Sequence, residues 1–166
     1  MSGPLHAWYS LHDLESLAGR HGELGGELEL DKLPRLAGLL QSADGSVRAS
    51  LRFRQRGEGG LAVTLEYETT VLLLCQRCLE PYHERLANRV EMALVDEGAD
   101  EASLPEGLEP VEMDNGRLLP VGLVEDELIV SIPLVPKHAK VEDCGSLADD
   151  LANLTEGSAA ARATDL

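Results

Sequence analysis

The sequence is poor in aromatic residues, in cysteine and in long apolar runs. Its 166 residues include one Trp, one Phe and three Tyr, so Leu and Val must build the core and few rings are left for stacking nucleic-acid bases. Three cysteines are too few for a disulfide framework and are typical of a reducing compartment. No apolar run reaches about 18 residues, and the N-terminal residues lack the pattern of a secretory signal. We therefore expect a cytoplasmic protein without a membrane span.

Positive charge is also scarce, and the negative charge is unevenly distributed. The formal net charge is −16, from 14 basic and 30 acidic residues. Residues 1–90 hold 12 acids and 10 bases, whereas residues 91–166 hold 18 acids and four bases. Such a charge repels phosphate backbones at long range, so a basic partner protein is an easier prediction than unshielded RNA.

The clearest structural signal is a β-hairpin. Most odd positions are apolar in residues 47–56 and again in residues 61–75, and the Gly-rich segment 57–60 between them is typical of a turn. The apolar odd positions are Ala49, Leu51 and Phe53, and then Leu61, Val63, Leu65, Tyr67, Val71 and Leu73. Residues 82–95 alternate enough to form a third strand. The pattern therefore predicts an antiparallel meander.

The length of the hairpin loop decides which side chains face each other. Directly opposed residues share a face of the sheet, so apolar residues oppose one another only across a loop with an odd number of residues. A three-residue loop places Leu51 opposite Leu65, and a five-residue loop places Arg52 opposite Glu66. Both alternatives satisfy the pattern.

Two main helices are predicted on either side of the strands. Ser10 resembles an N-cap, and the apolar residues that follow recur at helical spacing over residues 11–19. Pro120 is suited to the first turn of a second helix, which Pro133 ends. The acidic segment 96–117 is predicted to be a long loop with a brief extended piece around residues 111–113.

These elements together predict an α+β fold with an antiparallel β-sheet, a meander, and two main helices. Residues 1–145 are expected to form a single domain. Residues 146–166 are expected to form a flexible, disordered tail of acidic and small residues.

Four residues are the candidate ligands of one structural zinc ion. Cys75 and Cys78 form a C-x-x-C pair in a tight turn between strands, which is half of a tetrahedral site. His138 and Cys144 would complete a Cys₃His set and join the sheet to the segment after the second helix. His83 is a rival ligand. The alternatives are an unmetallated turn with two thiols and, less favoured, a redox site, which would normally place its first cysteine at a helix N-terminus.

The first strand of the hairpin carries four arginines at even positions. They are Arg48, Arg52, Arg54 and Arg56. Alternation places them on one solvent face, about 7 Å apart for each two-residue step, where they are the candidate RNA-binding residues. The alternative is a solvated face that Glu66 and Glu68 partly neutralise.

Nothing in the sequence selects a catalytic site. The Gly-rich turn lacks the Lys-Ser or Lys-Thr of a phosphate-binding loop, and no Ser-His-Asp set follows from spacing. A helix scatters the consecutive acids Glu125, Asp126 and Glu127 around its axis, so they cannot share one metal. We interpret them as acids that stabilise the N-terminal turns of their own helix.

Two motifs occur in a fixed order along the chain. They are Cys75-Gln76-Arg77-Cys78 with Pro81 and Tyr82, and Leu123-Val124-Glu125-Asp126-Glu127-Leu128-Ile129 leading to Pro133-Leu134-Val135-Pro136-Lys137-His138 and Cys144, with Glu109-Pro110 between them. Their order and spacing, over roughly residues 60–145, resemble the YceD family of large ribosomal RNA subunit accumulation proteins.

This resemblance implies a role without catalysis. The implied function is the synthesis, processing or stability of large-subunit (23S) ribosomal RNA, with that RNA or its precursor as partner, or a basic large-subunit ribosomal protein. No small-molecule substrate is expected. The alternative is an acidic adaptor that binds a basic ribosomal protein through residues 91–127 without contacting RNA, and an enzyme ranks last.

Overall fold

The computed structural model describes residues 3–100, 102, 104–145, 147, 149–150 and 153–154. The strands are β1 (Tyr9–Ser10), β2 (Glu23–Glu29), β3 (Ser46–Arg56), β4 (Gly60–Leu74), β5 (Pro81–Val95), β6 (Glu109–Glu112) and β7 (Arg117–Leu118). The α-helices are α1 (Leu11–Gly19), α2 (Pro34–Ala37) and α3 (Pro120–Ser131). The α+β class is confirmed, with α1 and α3 as the two main helices.

A five-stranded sheet in the order β2-β3-β4-β5-β6 forms the centre of the molecule. Strands β2 to β5 pair antiparallel with their neighbours in the chain, which confirms the predicted meander. The turn Gly57–Gly59 has three residues and places Leu51 opposite Leu65, so the three-residue alternative is correct. A separate pair of short strands, β1 and β7, lies outside this sheet.

The edge strand β6 pairs with β5 in parallel, which the sequence pattern did not predict. The chain leaves β5 at Val95 and crosses back before it runs alongside β5 in the same direction. Pro110 lies in β6, where a residue without an N–H group is tolerated because the strand is at the edge of the sheet.

Helix α1 begins and ends at the predicted residues. A capping box closes its N-terminus. The Ser10 hydroxyl accepts a hydrogen bond from the Asp13 N–H at 3.2 Å, and the Asp13 carboxylate accepts one from the Ser10 N–H at 2.9 Å. Asp therefore fills the position that Glu or Gln usually holds. The buried side chains Leu14 and Leu17 then face the sheet core.

The buried carboxylate of Glu125 joins α3 to the N-terminus of α2. It accepts hydrogen bonds from the backbone N–H groups of Arg35 at 2.8 Å and Leu36 at 3.2 Å, and from the Arg35 guanidinium at 3.0 Å. The N-cap residue Leu33 provides no side-chain acceptor, so α2 depends on this carboxylate. The interpretation of the acidic cluster as serving its own helix is wrong, because the first turn of α3 contains no acid.

Replacing Glu125 by Ala should lower the free energy of unfolding by about 1–3 kcal/mol, because the buried Leu36 N–H would lose its acceptor. The exposed neighbour Asp126, which pairs with Arg35 at 2.6 Å, is the control. Asp126→Ala should cost less than about 1 kcal/mol. Urea denaturation of both variants tests this, and equal losses would contradict the capping role of Glu125.

The predicted tail, residues 146–166, lies mostly outside the described residues. Its flexibility, and the division from a domain over residues 1–145, stay predictions. Among the helices that the structure does describe, none has the length and apolar character needed to cross a membrane.

Candidate metal centre

The four predicted zinc ligands meet at one end of the sheet. They are Cys75 and Cys78 in the turn between β4 and β5, His138 in the segment after α3, and Cys144 at the end of the 3₁₀ turn Val141–Cys144. Their donor atoms all lie within 4.8 Å of one another. The predicted set is therefore brought together from segments about 60 residues apart in the chain.

The rival ligand His83 is not part of this cluster. His83 follows Tyr82 in β5, and successive side chains of a strand point to opposite faces. Tyr82 is buried with its ring centroid 5.1 Å from that of His138, so alternation turns His83 to the exposed face.

Backbone hydrogen bonds hold the two segments in place. The Gln76 N–H donates to the Pro136 carbonyl oxygen at 2.8 Å, and the His138 N–H donates to Cys75 Sγ at 3.5 Å. The turn itself is closed by the Leu79 N–H, which donates to the Cys75 carbonyl oxygen at 2.8 Å. Leu79 has a φ of 60°, a left-handed conformation that is unfavourable for a residue with a side chain and is imposed by the tight turn.

The distances between donor atoms fit a tetrahedral zinc ion. Zn–S bonds of about 2.3 Å and Zn–N bonds of about 2.0–2.1 Å at tetrahedral angles place a sulfur about 3.6 Å from a nitrogen. Cys78 Sγ and Cys144 Sγ each lie 3.5 Å from His138 Nδ1. Three sulfurs and one imidazole nitrogen are also a usual donor set of structural zinc.

The two buried cysteines differ in acidity. Burial raises the pKa of Cys75, but N–H groups of Cys78, His138 and Arg77 directed at its sulfur outweigh burial and lower the pKa to about 5. Burial, with the adjacent sulfurs of Cys78 and Cys75, raises the pKa of Cys144 to about 11. Metal binding requires thiolates, so it would release a proton from Cys144 near neutral pH.

The metal-free chain should contain one thiolate that titrates near pH 5. Because the pKa of Cys75 is lowered from 9.0, the unfolded chain binds the extra proton between about pH 5 and pH 9, and the free energy of unfolding should rise with pH across that range. Ultraviolet thiolate absorbance of the metal-free chain measures the titration. Cys75→Ser should abolish the low-pH step and Cys144→Ser should retain it, and the reverse result would contradict this assignment.

Two side chains at this centre were not assigned to it from the sequence. The Tyr82 ring packs against His138, and the Arg77 guanidinium donates a hydrogen bond to Cys144 Sγ at 3.8 Å. Arg77 lies within the C-x-x-C pair and Tyr82 lies shortly after it in the chain. Their contacts nevertheless depend on the distant segment that carries His138 and Cys144. Sequence position alone therefore offered little signal for either role.

The four arginines of β3 lie on the exposed face of the sheet, away from the helices, as alternation predicted. Arg52 forms an ion pair with Glu23 at 2.8 Å, and Arg54 forms one with Glu91. Within the described part of the chain, Arg48 and Arg56 have no carboxylate within 4.0 Å.

The neighbouring strands continue this interleaving of charges. Arg89 pairs with Glu66 at 3.1 Å, and Arg85 pairs with Glu68 at 2.8 Å. Most arginines of this face are therefore already matched by a carboxylate, which favours the solvated-face alternative. Their role in RNA binding stays a prediction.

The fold and the Cys₃His cluster together define a class of protein. It is a small α+β domain in which a Cys₃His set joins the turn of an antiparallel meander to the segment that follows the last main helix. All four donor atoms belong to the chain itself, as in sites whose purpose is structural.

Comparison with known proteins agrees with the sequence motifs. The sequence model of the family described as "Large ribosomal RNA subunit accumulation protein YceD" matches residues 63–164. A large ribosomal RNA subunit accumulation protein YceD from Haemophilus influenzae is 32% identical over 128 residues, which cover 76% of this chain and 73% of that relative. No solved structure matches the chain. The chain belongs to the YceD family, and the resemblance stated from the motifs is confirmed.

Proposed function

We propose that this chain supports the accumulation of large-subunit ribosomal RNA in the cytoplasm, as a binding protein and not as an enzyme. The observation that carries the proposal is family membership, with a match over residues 63–164 and 32% identity to a relative of that name. Its partner would be the large-subunit ribosomal RNA or its precursor, reached directly or through a basic large-subunit ribosomal protein.

The candidate metal centre is consistent with a binding protein. A catalytic zinc site keeps an open position for water or substrate, whereas four protein ligands close a tetrahedral site. The cluster provides four such donors within 4.8 Å of one another. The proposal therefore assigns the chain no reaction and no small-molecule substrate.

Deleting the gene for this chain should lower the amount of large ribosomal subunits relative to small ones. Sucrose-gradient sedimentation measures that ratio, and hybridisation measures the amount of large-subunit ribosomal RNA. Expression of the chain from a plasmid should restore both, and tagged chain should sediment with large-subunit precursors. A normal gradient profile in the deletion strain, with the tagged chain only at the top, would overturn the proposal.

We also propose that Cys75, Cys78, His138 and Cys144 hold one structural zinc ion. The ion would supply four coordinate bonds that join the β4–β5 turn to the segment after α3. The three thiols and the imidazole would orient that segment and exclude water from the centre. The convergence of all four donor atoms within 4.8 Å of one another, from two segments distant in the chain, supports zinc over an unmetallated turn.

The native chain, purified without chelators, should contain one zinc ion per chain by elemental analysis. His138→Ala should lose most of this zinc, while His83→Ala, the matched control, should keep it. Zinc in small domains contributes roughly 10–16 kcal/mol of binding free energy. Loss of even about 3 kcal/mol should lower the melting temperature by about 6–12 °C in a chain of this size. A zinc-free native chain, or equal losses in both variants, would refute the site.

A further inference from the structure

Three basic side chains on the loops of the candidate metal centre form no ion pair with a described carboxylate. Arg77 lies inside the C-x-x-C turn, and Lys137 and Lys140 flank His138. In the part of the chain that the structure describes, none of the three has a carboxylate within 4.0 Å. On the exposed sheet face, ion pairs already engage Arg52, Arg54, Arg85 and Arg89, and among the described residues Arg48 and Arg56 have no such pair. A cation must be free of carboxylates to contact phosphate at full strength.

Contacts of the candidate metal centre involve Arg77 and the neighbours of Lys137, and Lys140 immediately precedes the 3₁₀ turn that ends at Cys144. Lys137 lies between Pro136, whose carbonyl oxygen accepts the Gln76 N–H, and His138, whose N–H donates to Cys75 Sγ. Arg77 is held by its hydrogen bond to Cys144 Sγ. These basic side chains therefore lie on two loops that hydrogen bonds join.

Exposed apolar side chains lie on these loops as well. Leu79 is 67% exposed, Leu134 is 103% exposed and Val135 is 60% exposed. Exposed aliphatic side chains on neighbouring loops offer apolar area to a partner where they lie side by side. Apolar side chains beside unpaired basic side chains suit a nucleic-acid segment. Its sugars and unstacked nucleobases can cover the apolar side chains while its phosphates contact the basic ones.

The length of β5 separates this surface from the most acidic part of the chain. Strand β5 has 15 residues from Pro81 at the metal centre to Val95, which is about 45 Å at roughly 3.3 Å per residue. The acidic loop starts at the far end, several times the Debye length of about 8 Å at physiological salt. Arg56 lies at that far end, opposite Gly60, so phosphates approaching it would meet the acidic loop.

We propose that ribosomal RNA contacts the chain at this end of the molecule, which we call the metal-end surface. It is formed by Arg77, Lys137 and Lys140 with Leu79, Leu134 and Val135. Glu80, Glu142 and Asp143 lie on the same loops, so the contact depends on separate phosphates meeting separate cations and not on a uniformly positive field. The inference rests on the proposed function and names the place where its partner binds.

Two matched double variants test this surface. The first variant, Lys137→Gln with Lys140→Gln, removes two unpaired basic side chains from the metal-end surface. The second, Arg48→Gln with Arg56→Gln, removes two unpaired basic side chains from β3. Neither pair breaks an ion pair between described residues, and Arg77 stays native because it contacts Cys144. Binding to a transcript of a large-subunit ribosomal RNA precursor is measured by filter binding at several salt concentrations, with metal content measured in parallel.

The metal-end variant should bind the transcript more weakly and keep its metal. Each lost phosphate contact removes about 0.7–0.9 from the slope of log K against log salt, so this slope should fall by about 1.4–1.8. The β3 variant should keep the native slope. This pattern would support the metal-end surface.

Other outcomes overturn the inference and separate it from the proposed function. Native binding by the metal-end variant with weaker binding by the β3 variant would assign the contact to the arginines of β3. A second result is that the native chain binds no transcript while the deletion strain still lacks large subunits. That result would overturn the RNA contact at this surface and retain the proposed function. Loss of binding to a basic large-subunit ribosomal protein instead of RNA would make the surface a protein-docking site. A deletion strain with normal subunits would remove both.

Discussion

The hydrogen-bonded register of β3, β4 and β5 determines where the charged side chains of the sheet and the C-x-x-C turn lie. Side chains alternate between the two faces of a strand, so a shift of one residue would exchange the apolar core for the charged face. The three-residue turn Gly57–Gly59 sets that register, with Leu51 opposite Leu65. The same register places the arginines of β3 on the exposed face and carries the turn with Cys75 to one end of the sheet. The metal centre and the ion pairs across the strands both depend on it.

Long strands also separate the charges of a chain whose net charge is −16. A uniformly acidic surface would repel RNA, and screening by salt confines that repulsion to roughly a Debye length. The 15 residues of β5 place the acidic loop and the metal centre at opposite ends. The carboxylates of β2, β4 and β5 neutralise most of the arginines on the sheet between them. This separation of charge is what the proposed RNA contact at the metal-end surface requires.

A few contacts between segments distant in the chain form the candidate metal centre at one end of the sheet. The segment after α3 has little regular structure of its own, yet Pro136, His138 and Cys144 each contact the β4–β5 turn. Four coordinate bonds would add to these contacts and stabilise loops that expose Leu134 and Val135 to water. The proposed zinc ion and the proposed metal-end surface would therefore be parts of one arrangement, since the ion would hold the loops of that surface in shape.

Local patterns in the sequence determined the meander, the bounds of α1 and the Cys75–Cys78 half of the candidate metal centre, because period-two alternation, capping residues and C-x-x-C spacing act between residues close in the chain. The order of two motifs along the chain indicated the family, and His138 and Cys144 were the candidate second pair of ligands; the tertiary structure brings that pair to the turn. Only the tertiary structure decided the three-residue turn, the parallel pairing of β6, the capping of α2 by Glu125 and the pairing of Arg52 with Glu23. It also excluded His83 from the metal centre, because Tyr82 is the residue that turns inward. These outcomes depend on contacts between segments distant in sequence, for which local periodicity carries no information.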